Sequence, residues 1–514
     1  MPYDGDVVRP FVCTALLCLV AACGGGSRTT ATPGPGTASD TVAVAYADPR
    51  SRDGGESGLD VIVGLLADER LVGLTKDGRP EPRLAERWEV SPDGLTWRFT
   101  LRRGLVFQNG QPITSAEARA AIALNPNAPV SQTPPGLRDL VAIETPTPYE
   151  IVIRLKRPNA FLLEGLNLSP VTGDKEAGAG PFRPDTRTPG KATLRRFDRY
   201  YRGRSAVAGI SIAQYPSQRE AWSAMLRGDV DVLYDVSPDA FEFVKESPNA
   251  HIASYLRPYV VALTFNLAHP RLGRRDVRRA LNQAIDRALV IDTVAGGRGV
   301  PAVDHIWPNH WARDAAAPAF TFDQQAAAAA LDAAGLRRKG GAGASSRFSF
   351  TCLVPAEPRF ERLALLIQRQ LLSVDVDMRL EALPLSAFQE RVSSGRYDAF
   401  LFELIASHGL GFTYMLWHST PPPFIRTGYH AADAALDRVR DARTDDDLRT
   451  AVHALQRTMH DDPPAVFLYW AQASRAVSRR FVLPAGEDVD ILRSVDRWRL
   501  VDPGSTGTPT AGAP

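Results

Sequence analysis

Ala399 to Ile405 reads AFLFELI, an almost unbroken apolar run of strand length. A strand of this kind is buried on both faces, as in a parallel sheet, so other elements must cover it from two sides. The chain supplies them. In Asp276 to Val294 the residues Val277, Ala280, Leu281, Ala284, Ile285, Ala288 and Leu289 recur at helical spacing, and Gly296-Gly297 stops the helix. Asp323 can cap a second helix through Ala326 to Ala334, ended by Gly335. Arg359 to Leu372 is a third. Val374, Val376, Met378 and Leu380 then alternate with polar residues as a strand, and Ser386 to Ser393 is a short helix before Gly395. Helices alternating with such strands imply an α/β open sheet covered on both faces.

A different pattern occupies Arg83 to Glu117. Trp97, Phe99 and Leu101 alternate with Arg98, Thr100 and Arg102, the period-2 signature of a strand with one buried face. Pro92 and Gly94 suit the Ser91-Pro92-Asp93-Gly94 turn, which folds Trp88 and Val90 back beside Leu95 and Trp97. Asn109-Gly110 is a second turn, and Thr114 with Glu117 forms a capping box for a helix beginning near Ser115.

This succession resembles the extracytoplasmic solute-binding proteins of peptide and nickel ABC importers, family 5. The matching pieces are Leu84-Ala85, Trp88, Asp93-Gly94, Trp97-Arg98-Phe99, Leu101-Arg102, Phe107, Gly110 and Pro112. Further pieces follow in order: Gly178-Ala179-Gly180-Pro181-Phe182; Phe197, Tyr200, Tyr201 and Gly203; a capping box from Ser217 to Glu220 opening a helix that ends in Leu226 to Asp231; then Asn266, Asp276 to Arg278, Ala280 to Asn282, Ala284 to Arg287 and Gly296. The resemblance spans roughly residues 42 to 475.

It implies the type II periplasmic-binding-protein fold, two main lobes joined by hinge strands plus an inserted third lobe. Lobe I is expected from residues 42–62, 172–262 and 472–503, the inserted lobe from 63–171 and the opposite lobe from 263–471. The hinge strands are expected near Tyr259 to Asn266 and Phe467 to Ala473. Ligand is expected in the interlobe cleft, beside strand ends.

The N-terminus bounds where such a protein works. Phe11 to Ala22 is too short to span a bilayer and ends Leu19-Val20-Ala21-Ala22-Cys23, a lipobox. Residues 1–22 are expected to be a lipoprotein signal peptide cleaved before Cys23, which carries the lipid, with ordinary secretion the simpler alternative. Asp4 and Asp6 against a single Arg9 depart from a positive leading segment, which puts the start codon in question. Residues 23–41 are the expected lipidated cysteine and flexible tether, and 504–514 a disordered tail.

At 514 residues and 44% hydrophobic the chain can bury more than one core, and no later apolar run is long enough to cross a membrane. A net charge of +2, spread along the chain, is no nucleic-acid footprint. Cys13 and Cys18 leave with the signal and Cys23 is acylated, so Cys352 remains as an inert core thiol. No GxSxG, HExxH, P-loop, GxGxxG or CxxC motif occurs, so no enzyme, metal or cofactor is expected. His408, His418 and His430 are spaced unlike metal ligands and read as exposed loop histidines.

The resemblance implies a ligand site and a departure from it. Members that bind peptides commonly pair the ligand amine with an aspartate after the strand equivalent to Ala399–Ile405; here the segment reads Glu403 to Gly411 and has no aspartate. Glu403 either faces the cleft or a lobe surface. His408, Phe412, Tyr414 and Trp417 are further ligand-binding candidates, the aromatics as cleft wall or as core. Arg359 either takes a ligand carboxylate or is a solvated helix start. The expected protein is a lipid-anchored, monomeric binding component of an ABC importer, outside the cytoplasmic membrane. It captures a peptide or related small organic solute by hinge closure and delivers it to permease subunits. A non-transport lipoprotein sensor or adaptor is the alternative, and a secreted hydrolase a remoter one.

Overall fold

Two long strands, Ala250–Phe265 and Ala465–Ser478, organise the molecule. In this computed structural model, which describes residues 40–47, 58–122, 133–173, 177–338, 346–485 and 490–501, they pair antiparallel at the centre of an 11-stranded mixed sheet. The described residues from Asp40 onward cluster as one unit, in which Thr41, the last residue of the expected tether, already opens the strand Thr41–Tyr46; residues 1–39, with the signal, Cys23 and most of that tether, lie outside the described residues. So does the expected C-terminal tail.

The pairing runs from Ala250 opposite Ser478 to Leu256 opposite Gln472, breaks, and resumes with Val260 opposite Trp470. On one side of the break the sheet continues through Val232–Leu233, Thr41–Tyr46, Gly209–Gln214, Lys191–Arg196 and Phe182–Thr188. Its core includes Val42, Val44, Ile62, Leu66, Ile210, Ile212, Val477 and Trp498. On the other side it continues through Ala399–Ile405, Phe348–Pro355 and Val376–Leu383. Each face of that half is buried by a separate core. Val260, Phe400, Leu404 and Phe467 pack on one face, and Val261, Leu263, Leu401 and Val466 on the other. This two-sided burial explains the continuous apolarity of Ala399–Ile405. Its pairing, however, is parallel only to Phe348–Pro355 and antiparallel to Ala250–Phe265, so the strand is not in a purely parallel sheet. Apolar periodicity reports burial and is silent on direction.

A separate four-stranded antiparallel sheet is ordered Ala85–Val90, Thr96–Leu101, Glu150–Leu155, Leu140–Thr147 and has its own core around Phe99, Leu101, Ile151, Ile153 and Leu166. The hairpin turn is as read: Gly94 N–H donates to Ser91 O at 2.8 Å, with Gly94 at φ +75°. The following helix is Ser115–Ile122, with Thr114 N–H donating to Glu117 Oε2 at 2.8 Å. Ser217 and Asp323 also cap the helices expected to follow them.

The helix expected over Asp276 to Val294 is two helices, Arg275–Gln283 and Arg287–Ala295. Asp286 causes the break. Its carboxylate accepts from Leu289 N–H at 3.0 Å as an N-cap, while its own N–H donates to Gln370 Oε1 at 2.6 Å instead of continuing the helical ladder. Gly296, at φ +58°, ends the second helix.

Candidate functional site

Phe348–Pro355 and Ala399–Ile405 run parallel, and the carboxyl end of the second, at Ile405, lies opposite Tyr259 in the break of the central strand pair. Open α/β sheets present ligands at such ends. Arg359 stands in the first turn of the helix Pro358–Leu372, immediately after one strand, and Glu403 lies near the end of the other. Across the sheet Glu403 is level with Val261, and Val261 with Tyr469.

Glu403 is only 9% exposed, a position in which an ionised carboxylate requires partners. Arg257 Nη1 donates to its Oε1 at 3.2 Å and Arg359 Nη1 to the same oxygen at 3.1 Å. Arg359 Nε also donates to Glu357 Oε2 at 3.2 Å. Arg257 occupies the strand-pair break and lies 4.7 Å over the Tyr259 ring. Burial opposes its charge, but Glu403 and the neighbouring tyrosines and Asp235 outweigh that and raise its pKa. Burial, and then the Glu403 charge, push the Tyr469 hydroxyl up to about 12, so it remains a donor at neutral pH. A guanidinium carries five N–H donors in a planar fork, so this cluster is rich in donors, while its central acceptor is already engaged. It suits a ligand group that accepts hydrogen bonds.

On the other side of the break, Arg475 forms a two-pronged bond to Asp490, 2.6 Å on each arm, and lies 3.7 Å from the Tyr234 ring centroid and 5.4 Å from that of Tyr255. This ties the turn Ile491–Arg497 to the central strand.

Of the residues singled out in the sequence, the structure brings Glu403 and Arg359 together and places the others elsewhere. Tyr414 and Trp417, 6% and 1% exposed, lie in the core of the opposite sheet face. Tyr414 OH accepts from Arg440 Nη1 at 2.8 Å, and burial pushes it up to about 12. Trp417 packs against Phe467 and Tyr429. Phe412 is half-buried in the short helix Gly411–Trp417.

The three histidines do not form one exposed class. His418 is buried, stacked 4.6 Å from the Tyr414 ring, with Nε2 3.2 Å from Asp437 Oδ1. His408 is half-buried against Trp307, and burial, reinforced by the Arg493 charge, lowers its pKa to about 4. His430 alone of the three is exposed. Loop position misled for His418 because tertiary packing covers that loop. Arg257, Tyr469 and Arg475 were missed in the sequence. The available signal was the polar run Arg257-Pro258-Tyr259 before the apolar Val260 to Leu263, and a lone arginine within an apolar strand.

Residues 79–424 match the family described as bacterial extracellular solute-binding proteins, family 5 Middle. The probable D,D-dipeptide-binding periplasmic protein DdpA of Escherichia coli K12 is 25% identical over 362 residues, covering 64% of this chain and 67% of that protein. Among solved structures, the substrate-binding protein CtaP of Listeria monocytogenes superposes with a TM-score of 0.77 at 18% identity, over 90% of this chain and 100% of that one. NikZ of Campylobacter jejuni in complex with Ni(L-His) gives 0.75 at 18% identity, over 89% and 99%.

Proposed function

The chain belongs to the family 5 bacterial extracellular solute-binding proteins, and from that premise we propose that it captures a peptide or related small organic solute in an interlobe cleft and delivers it to the permease of an ABC importer. It is a binding protein and not an enzyme. Its fold is that of the type II periplasmic binding proteins.

One observation carries the site assignment: the Arg257, Glu403 and Arg359 cluster lies where the two central strands pass between the halves of the sheet. Arg257 and Arg359 are the ligand-facing donors in this reading, Tyr469 adds a hydroxyl, and Glu403 holds both guanidiniums in place. The break at Leu256 to Val260 is the hinge. Closure brings both lobes onto the solute, which favours the closed arrangement by its differential affinity. Micromolar capture corresponds to roughly 8 kcal/mol. Cys23 carries the lipid that holds a monomeric body outside the membrane.

Native mass spectrometry of protein purified from its own host without refolding tests the reading. A retained small-molecule mass that Arg359→Ala abolishes is expected; a protein that stays empty there and against a solute library contradicts it.

A further inference from the structure

Between the four-stranded sheet and the return to the large sheet, Leu162, Leu163 and Leu166 stay with the four-stranded sheet's core, while the neighbouring Phe161 does not. Phe161 is 1% exposed and belongs to the hydrophobic core of the opposite half, with its ring 5.4 Å from Tyr414. Full burial of such a side chain is a substantial part of any local docking energy. Ala160 N–H donates to Arg440 O at 2.7 Å. One turn on, in the helix Leu162–Asn167, Glu164 accepts from two backbone amides of the opposite half, Leu410 N–H at 2.5 Å and Gly411 N–H at 2.7 Å. Burial pushes the Glu164 carboxyl up to about 7 against the pull of these two amides, so the bonds gain their charge-assisted strength above that pH.

The receiving segment is shaped for that carboxylate. A Cβ on Gly409 would stand 2.0 Å from Glu164 Cδ, and one on Gly411 2.8 Å from its Oε2, so only glycine admits the acid at both positions. A second contact lies well away in sequence. Trp307 Nε1 donates to Lys76 O at 2.8 Å, Trp311 N–H to Asp77 O at 3.0 Å, and Arg79 covers the Trp311 ring at 4.1 Å while pairing with Asp445 at 3.0 Å.

We propose that Glu164 is the latch of an interlobe clasp: it locks the four-stranded lobe onto the opposite lobe, and the cleft opens only when the Glu164 bonds to Leu410 and Gly411 release. The segment in which the family resemblance places a ligand-amine aspartate is thus engaged by the protein's own carboxylate, supplied from another lobe. The clasp deepens the capture reading by naming what closure makes and breaks, yet its test needs no solute and stands apart from that reading.

The test is hydrogen–deuterium exchange with mass spectrometry on the full chain, comparing wild type with Glu164→Ala and Glu164→Gln. A latch predicts faster exchange at two further backbone bonds that cross between the halves, in peptides holding Trp311 and Ala160, as well as at Leu410 and Gly411. The expected rise is at least roughly tenfold, with peptides from the central strand Val260 to Phe265 still protected. Acceleration confined to the peptide around Gly409 to Gly411, with the central strand intact, overturns the proposal. Should Glu164→Ala strip protection from the central strand, Glu164→Gln, which keeps side-chain size, decides by the same criterion.

Discussion

Glu403 receives two guanidiniums on one buried oxygen, so removing it leaves both cations without their shared acceptor. Glu403→Ala is expected to lower unfolding free energy by roughly 1–3 kcal/mol in urea titrations. Arg359, whose side chain is 39% exposed, is expected to cost less stability when changed to alanine while weakening solute binding. Equal stability losses at the two positions would argue against Glu403 as the centre of the cluster. Buried histidines and the buried Glu164 carboxyl pull the acid response in opposite directions, since burial pushes Glu164 up to about 7 and the folded chain takes up that proton before the unfolded one. Burial pushes His305 down to about 3 and His310 to about 4 from an ordinary 6.5. Below pH 6.5 the unfolded chain takes up protons on these rings that the folded chain refuses, so the two histidines contribute a loss of stability as pH drops from about 6.5 toward 4. Relative to wild type, His305→Phe is expected to lose less melting temperature, or gain more, between pH 6.5 and 4; an unchanged slope in the variant would contradict the assignment. No local pattern in the sequence foretold these environments, because each is set by side chains from distant segments.

At the scale of elements, what sequence shows depends on range. The hairpin turn at Ser91 to Gly94 and the caps at Thr114, Ser217 and Asp323 were legible because each is completed within a few residues. The break at Asp286 was hidden, since the apolar spacing runs on through Ala284, Ile285 and Ala288 while the partner that diverts the backbone, Gln370, is 84 residues away. Asp286→Ala is expected to cost about 1 kcal/mol through loss of the Leu289 cap. Gly409→Ala is expected to cost more, because its Cβ meets a carboxylate that is also held by two amides. Denaturant titration orders the two, and a milder effect at Gly409 would show that Glu164 can retreat at little cost.

For the whole molecule, the family resemblance made the fold class readable from residues 42 to 475, whereas the contacts between its distant segments were not. Arg257 and Glu403 are 146 residues apart and Glu164 and Leu410 are 246 apart, distances at which periodicity carries no information. The same scale holds the anchoring proposal. Cys23→Ala is expected to shift the protein from the membrane fraction to the soluble fraction, and continued membrane retention would contradict lipidation there. In the proposed function, the solute is captured by closure of the lobes. Small-angle X-ray scattering of Glu164→Ala, in which the clasp no longer holds the solute-free lobes together, checks this: the radius of gyration is expected to fall when the retained solute is added, and scattering superimposable on that of the free variant would overturn closure on the solute.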